Sequence, residues 1–147
     1  MTMMAPVRMT VQRPCRLGLT PGPAAAAQAR RHVCAILSAW DAPVDAYVAA
    51  LLTSELVTNA VKHVPDHPGS IDLVISWNRS ELRVEVHDRS RSAPVVVDAP
   101  PDAEAGRGLM LLACMATDWG YRETVTGKAV YFTLAAQADG REVGGDA

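Results

Sequence analysis

Aromatic side chains are scarce in this chain: one phenylalanine, three tyrosines and three tryptophans make up 5% of its 147 residues. A core built from such a sequence must be aliphatic, with Trp40, Trp77 and Trp119 as its largest pieces. Cysteine is sparse too. Cys15, Cys34 and Cys114 are odd in number and widely spaced, without the close pairs of a zinc site or the even framework of a disulfide scaffold. They read as reduced thiols, and the chain as cytoplasmic. No apolar run approaches the roughly 20 residues of a membrane-crossing helix, and the methionine-rich start has neither a hydrophobic signal core nor a cleavage-site pattern. An excess of one charge is also missing. A formal net charge of -2 with scattered basic residues gives no footprint for direct nucleic-acid binding.

A chain of this length is expected to fold as one domain, burying about two thirds of its unfolded surface without a metal or disulfide staple. Residues 1–15 read as a flexible start, 16–135 as the folded domain and 136–147 as a polar, Gly-rich tail expected to be disordered. Arg16 to Leu19 suits a short edge strand, closed by the turn Thr20-Pro21-Gly22-Pro23. Ala24 to Trp40 reads as a helix with Ala27, Val33, Ile36, Leu37 and Trp40 near one apolar stripe and His32 at its boundary. Asp41, with Pro43 behind it, reads as the start of a second helix that runs to about His63 and is stopped by Pro65 and Pro68.

Alternation through Ile71, Leu73, Ile75 and Trp77, and again through Leu82, Val84 and Val86, predicts a β-hairpin with one face under helices. From Arg89 to Arg107 the composition shifts to Arg, Ser, Pro, Asp, Ala and Gly, a long loop of the kind that often serves as a lid. Gly108 to Thr117 reads as a helix packed through Leu109, Leu112 and Met115 or Ala116. Trp119 to Val125 and Ala129 to Leu134, separated by Thr126-Gly127-Lys128, complete a last hairpin.

Three short segments carry the chemistry. Within the second helix, Glu55 and Asn59 stand four residues apart and share a face. From spacing alone they read first as two polar residues on a solvated surface, and second as two oxygen-bearing groups able to hold a hydrated magnesium ion and polarise a hydroxyl. Asp88 closes the second strand of the central hairpin, where a carboxylate can accept a hydrogen bond from an exocyclic amine or simply form a turn. Gly106-Arg107-Gly108-Leu109 marks the passage from loop to helix, where backbone amides and a helix N-terminus can meet an anion such as a triphosphate, or where the glycines are only hinges.

In order, these are a helix with ELVTNAVKH, a strand ending in Asp88, a long loop, GRGLMLL, and DWG followed by GKAVYFTL. The set resembles the GHKL or Bergerat-fold ATPases, and within them most nearly the bacterial anti-sigma-factor serine/threonine kinases, over Leu17 to Leu134. The resemblance implies a two-layer α/β sandwich, a mixed and mostly antiparallel sheet covered on one face by helices. It implies ATP and Mg2+ as cofactors, with Asn59 on magnesium, Glu55 as general base, Asp88 reading the adenine amino group, and Gly106 to Gly108, with Leu109 behind them, wrapping the phosphates. Lys62, Arg107 and Lys128 are implied as further phosphate contacts. The implied partners are an anti-sigma-factor antagonist, phosphorylated on serine or threonine, and a sequestered sigma factor, with homodimerisation frequent among such proteins.

The chain departs from that pattern at one point. Family members commonly carry a glycine two residues after the adenine-binding aspartate, where this chain has Ser90. That departure motivates the alternative of a nucleotide-binding switch that holds a regulatory partner without transferring phosphate. A histidine kinase is disfavoured, because only a short region precedes the nucleotide motifs.

Overall fold

Residues 24–29 are alanine except for Gln28, and alanine loses least on entering a helix. Helix α1 accordingly spans Ala25–Trp40 and buries Ala25, Ala29, Val33 and Leu37, one residue per turn. The computed structural model describes residues 12–62, 70–89 and 112–137. Asp41, expected to open the second helix, instead ends the first. It takes a left-handed backbone (φ 54°, ψ 41°), and the N–H groups of Asp41 and Ala42 donate to the Ser38 and Leu37 carbonyls at 3.2 and 3.1 Å. The cap of α2 (Ala46–Lys62) is Asp45, whose Oδ1 accepts the Val48 N–H at 3.1 Å.

Among the described residues there are five strands: β1 (Gln12–Leu19), β2 (Ile71–Trp77), β3 (Glu81–Asp88), β4 (Asp118–Glu123) and β5 (Lys128–Ala135). They form one sheet in the order β1-β2-β3-β5-β4. A mixed, mostly antiparallel sheet was expected, and each of the four described pairings is antiparallel. Strand β1 begins at Gln12 rather than Arg16, so residues assigned to a flexible start belong to the sheet. The β2–β3 turn is shaped by Asn78, whose Oδ1 accepts from the backbone of Ser80 and Glu81 at 3.0 and 2.8 Å while Arg79 takes φ 61°.

The two helices pack on each other and cover one face of the sheet, α1 over β1 and α2 over β2, β3 and β5. Alternation decides which strand residues meet them: Ile71, Leu73, Ile75, Trp77, Leu82, Val84 and Val86 are buried, with Val130, Phe132 and Leu134 opposite. Trp77 is buried as expected, but Trp40 and Trp119 are only half-buried, at the rim of the core. Phe132 takes the central place. Of the helix expected over Gly108 to Thr117, the described part is a turn at 112–115, held by a fully buried Leu112 with Ala116 packed beside it. The lid-like loop beyond Arg89, the Gly-Arg-Gly segment and the tail beyond Gln137 lie outside the described residues. No described helix is long and apolar enough to cross a membrane.

The opposite face of the sheet carries charge. Glu85 accepts from His87 Nε2 at 2.8 Å, Arg83 Nε at 2.7 Å and Arg122 Nη2 at 3.2 Å, and the Arg83 guanidinium lies 3.9 Å from the centre of the Tyr131 ring. The His87 hydrogen bond, followed by the hydrogen bond and charge of Arg83 and the charge of Arg122, pulls the Glu85 carboxyl from 4.5 to about 2 against the opposing effect of burial. Because the folded value is depressed, this contribution is fully present above pH 4.5 and is lost as the pH falls toward 2. Glu85→Gln is therefore expected to cost roughly 2 kcal/mol at neutral pH, after allowing for partial solvent screening. It should also flatten the acid limb of stability. Urea unfolding of both proteins at pH 7, 4 and 3 checks this, and parallel losses would rule it out.

Candidate functional site

Helix α2 is apolar through most of its circumference, with Ala49, Leu52, Leu56, Val57 and Ala60 buried. One stripe differs. Glu55 and Asn59 are half-buried and Thr58 and Lys62 exposed, at the spacing that places them along one side. Glu55 and Asn59 thus occupy a margin between core and solvent, on the helix that overlies β3 and β5. The chain leaves α2 at Lys62 and re-enters the sheet at Ile71, at the end where β3 closes on Asp88 and β5 opens on Lys128.

Asp88 follows Leu82, Val84 and Val86 on the helix-facing parity of β3 and is 6% exposed. Lys128 stands directly across from it at the head of β5, on the parity of Val130, Phe132 and Leu134, and is 2% exposed. Its ammonium donates to both carboxylate oxygens of Asp88, at 3.1 Å each. Lys128 was expected among phosphate contacts. Among the described residues its ammonium is enclosed and engaged by Asp88.

Gly127 makes that arrangement possible. A side-chain carbon there would lie 2.5 Å from the Arg89 Cα and 2.8 Å from its carbonyl carbon, and closer still to the Asp88 carbonyl oxygen. The turn before β5 therefore passes against the exit of β3 with no room for a Cβ. Its own ends are tied by Thr124 N–H to the Gly127 carbonyl and by Gly127 N–H to Thr124 Oγ1, both at 2.9 Å.

The structure thus places Glu55, Asn59 and Lys62 on one helix, and Asp88 and Lys128 at paired strand ends beneath that helix layer. Gly106, Arg107, Gly108 and Leu109 lie outside the described residues, so the phosphate-facing side of the expected site is not part of this geometry. Among the described residues no three His, Cys, Asp or Glu side chains gather into a metal cluster. A single Asn59 oxygen nonetheless fits Mg2+, which keeps several waters and takes few protein ligands when phosphates complete its shell. Lys62 is exposed, with its stem free to reach an anion. His32, expected as a boundary residue, is half-buried, with Nε2 3.6 Å from Cys15 Sγ.

A family model, the histidine kinase-like ATPase domain, matches residues 19–134. Among solved structures, that of the RsbU and RsbW domains of Rv1364c from Mycobacterium tuberculosis is similar, with a TM-score of 0.64 and 19% identity. The similarity covers 86% of this chain and 34% of that one, so this chain spans about a third of that length. At that identity the likeness is one of fold. No curated protein matches.

Proposed function

The chain belongs to the histidine kinase-like ATPase domain family, and from that premise we propose that it is an ATP-dependent protein serine/threonine kinase of the anti-sigma-factor type. It phosphorylates a small antagonist protein and, in its other state, holds a sigma factor. The observation that carries this reading is the polar stripe of Glu55 and Asn59 on α2, which overlies strands ending in a buried carboxylate. A general base and a cation ligand on one helix, with a hydrogen-bond acceptor set below it, are the parts phosphoryl transfer requires.

In this mechanism Asp88 accepts from the adenine amino group and fixes the base. Asn59 holds Mg2+, which supplies charge neutralisation at the phosphates. Lys62 adds a positive charge at the rim. Glu55 takes the proton from a serine or threonine hydroxyl of the partner as its oxygen attacks the γ-phosphorus. The bond from that phosphorus to the β–γ bridging oxygen breaks, and ADP leaves. Most of the rate comes from positioning and charge, since the protein itself forms no covalent bond.

Incubation with ATP, magnesium and candidate antagonist proteins tests this reading. Phosphoserine or phosphothreonine is expected on the partner, reduced by about 100-fold or more in Glu55→Ala. Affinity for ATP is expected to stay within a few-fold of the parent in that variant. Nucleotide-dependent partner binding without transfer would replace the kinase with a non-catalytic switch.

A further inference from the structure

We propose that Tyr47 and Leu51 dock the acceptor segment of the protein substrate, through apolar side chains two and four residues from the hydroxyl that is phosphorylated. This rests on the reading of Glu55 as general base and Asn59 as magnesium ligand. At about 100° per residue, Tyr47, Leu51, Glu55, Thr58, Asn59 and Lys62 fall within one stripe of α2 about 120° wide, and none of them is buried. The stripe changes character at Glu55. Toward Lys62 it is polar, whereas toward the helix start it shows a tyrosine 75% exposed and a half-buried leucine, with Val48 beside them packed on the core. A single exposed apolar residue needs no explanation. Two on successive turns, continuous with Glu55 on the same stripe, form an apolar spot beside the group that meets the substrate.

Phosphoryl transfer decides which side of Glu55 the substrate uses. The attacking and leaving oxygens stand roughly in line across the γ-phosphorus. In the proposed function the magnesium on Asn59 and the charge of Lys62 hold the nucleotide over the C-terminal half of the stripe. The hydroxyl therefore arrives over the N-terminal half, where Leu51 and Tyr47 lie. The spacing fits an extended chain. A helix rises about 1.5 Å per residue, which sets Leu51 about 6 Å and Tyr47 about 12 Å from Glu55 along the axis. An extended segment advances about 3.3 Å per residue and turns alternate side chains to one face, so those two and four residues from the acceptor lie about 7 and 13 Å away, on the side of its hydroxyl. An aliphatic side chain at each place takes apolar surface out of water on both partners, while a charged one gains no counter-charge from Tyr47 or Leu51.

Two peptides with a central serine test the proposal, one with leucine and one with glutamine at the second and fourth positions to each side. Their binding to the full chain is read by fluorescence anisotropy with magnesium and a non-hydrolysable ATP analogue, and phosphate transfer is read with ATP. The parent is expected to favour the leucine peptide by about tenfold or more, in KM and not in kcat. In Tyr47→Ser and in Leu51→Gln that advantage is expected to fall by about threefold or more, and Tyr47→Phe, which keeps the ring, is expected to restore it. Glu55→Ala is expected to do the opposite, losing kcat while the leucine peptide still binds. Tyr47 is exposed, so its replacement leaves the core intact even if Leu51→Gln fails to fold. An advantage unchanged in Tyr47→Ser overturns the proposal, as does a parent indifferent to the two peptides, and in both cases transfer itself leaves the kinase reading standing. If Tyr47→Ser lowers the sedimentation mass of the chain without changing the advantage, the face lies between two copies and the proposal fails. Tyr47-dependent binding of the leucine peptide without transfer would keep the docking surface and remove the kinase reading. A parent that neither binds nor phosphorylates either peptide overturns the proposal, and transfer to the antagonist proteins then decides the kinase reading alone.

Discussion

Gly127→Ala is expected to cost about 3 kcal/mol of folding stability and to lower the melting temperature by roughly 10 °C. The reason lies in what the new methyl group would meet. Its obstacles are the Arg89 Cα and carbonyl carbon, at 2.5 and 2.8 Å, and the Asp88 carbonyl oxygen, nearer than either. All three belong to the backbone, which cannot rotate aside as a side chain does, so the head of β5 must move away from the end of β3. The Asp88–Lys128 pair sits at that junction and would be pulled apart with it. Two other glycines calibrate the effect. At Gly120 the obstacle is the Tyr131 side chain, with its Oη at 2.9 Å, and part of the crowding is relieved by a small ring movement. At Gly18 the nearest atom is Asp72 Oδ1 at 3.7 Å, an ordinary contact, so alanine there should change little. Thermal unfolding of the three alanine variants should rank Gly127 well below Gly120, and Gly120 below Gly18. A Gly127→Ala protein melting within about 2 °C of the parent would contradict the close approach.

The layers were legible in the sequence because both of their periodicities are clean. Alternation in Ile71–Trp77 and Leu82–Val86 gave the hairpin and its buried face, and the run of alanines gave α1. The boundaries were harder. Asp41 has the composition of a helix cap and lies two residues before a proline, but a left-handed residue at the end of α1 uses the same short polar side chain. Only Asp45 has its carboxylate placed to reach back over the first turn of α2. Tryptophan was read as core by size, yet Phe132 and the aliphatic residues around it filled the centre and left Trp40 and Trp119 at its edges.

The candidate site was legible in part, through composition at fixed positions. Glu55 and Asn59 could be placed on one helix face from their spacing, and Asp88 at a strand end. The pairing of Lys128 with Asp88 was missed for a specific reason. Beginning the last strand at Ala129 left Gly127-Lys128 in a turn, whereas β5 opens at Lys128 itself. One residue earlier, the parity of Val130, Phe132 and Leu134 extends to Lys128, just as that of Leu82, Val84 and Val86 extends to Asp88. A basic and an acidic residue on the apolar parity of neighbouring strands signal a buried pair, and that signal needs only the correct strand start. The closeness of Gly127 to Arg89 carries no comparable mark, since it depends on how two strand ends meet.

Asp88→Val is expected to be more damaging than Asp88→Val combined with Lys128→Met. Removing the carboxylate alone leaves the ammonium of Lys128 enclosed without its counter-charge, which costs about 3–5 kcal/mol, and Lys128→Met takes the counter-charge away from a buried carboxylate. With both replaced, the apolar ladder of Val86–Val130 simply continues to the end of the sheet. The double variant should therefore return to within about 1 kcal/mol of the parent, or exceed it, giving a coupling of roughly 3 kcal/mol or more in the cycle. ATP binding should not return with stability, because the regained apolar contact offers no acceptor to the base. Urea unfolding and ATP titration on the same four proteins separate these outcomes. If the double variant loses the sum of the two single costs, the charges are not a pair in any energetic sense; if it binds ATP as the parent does, Asp88 does not read the base. Restored folding with absent binding would show a sheet end that carries its charged pair for recognition, at a position where stability alone favours aliphatic side chains.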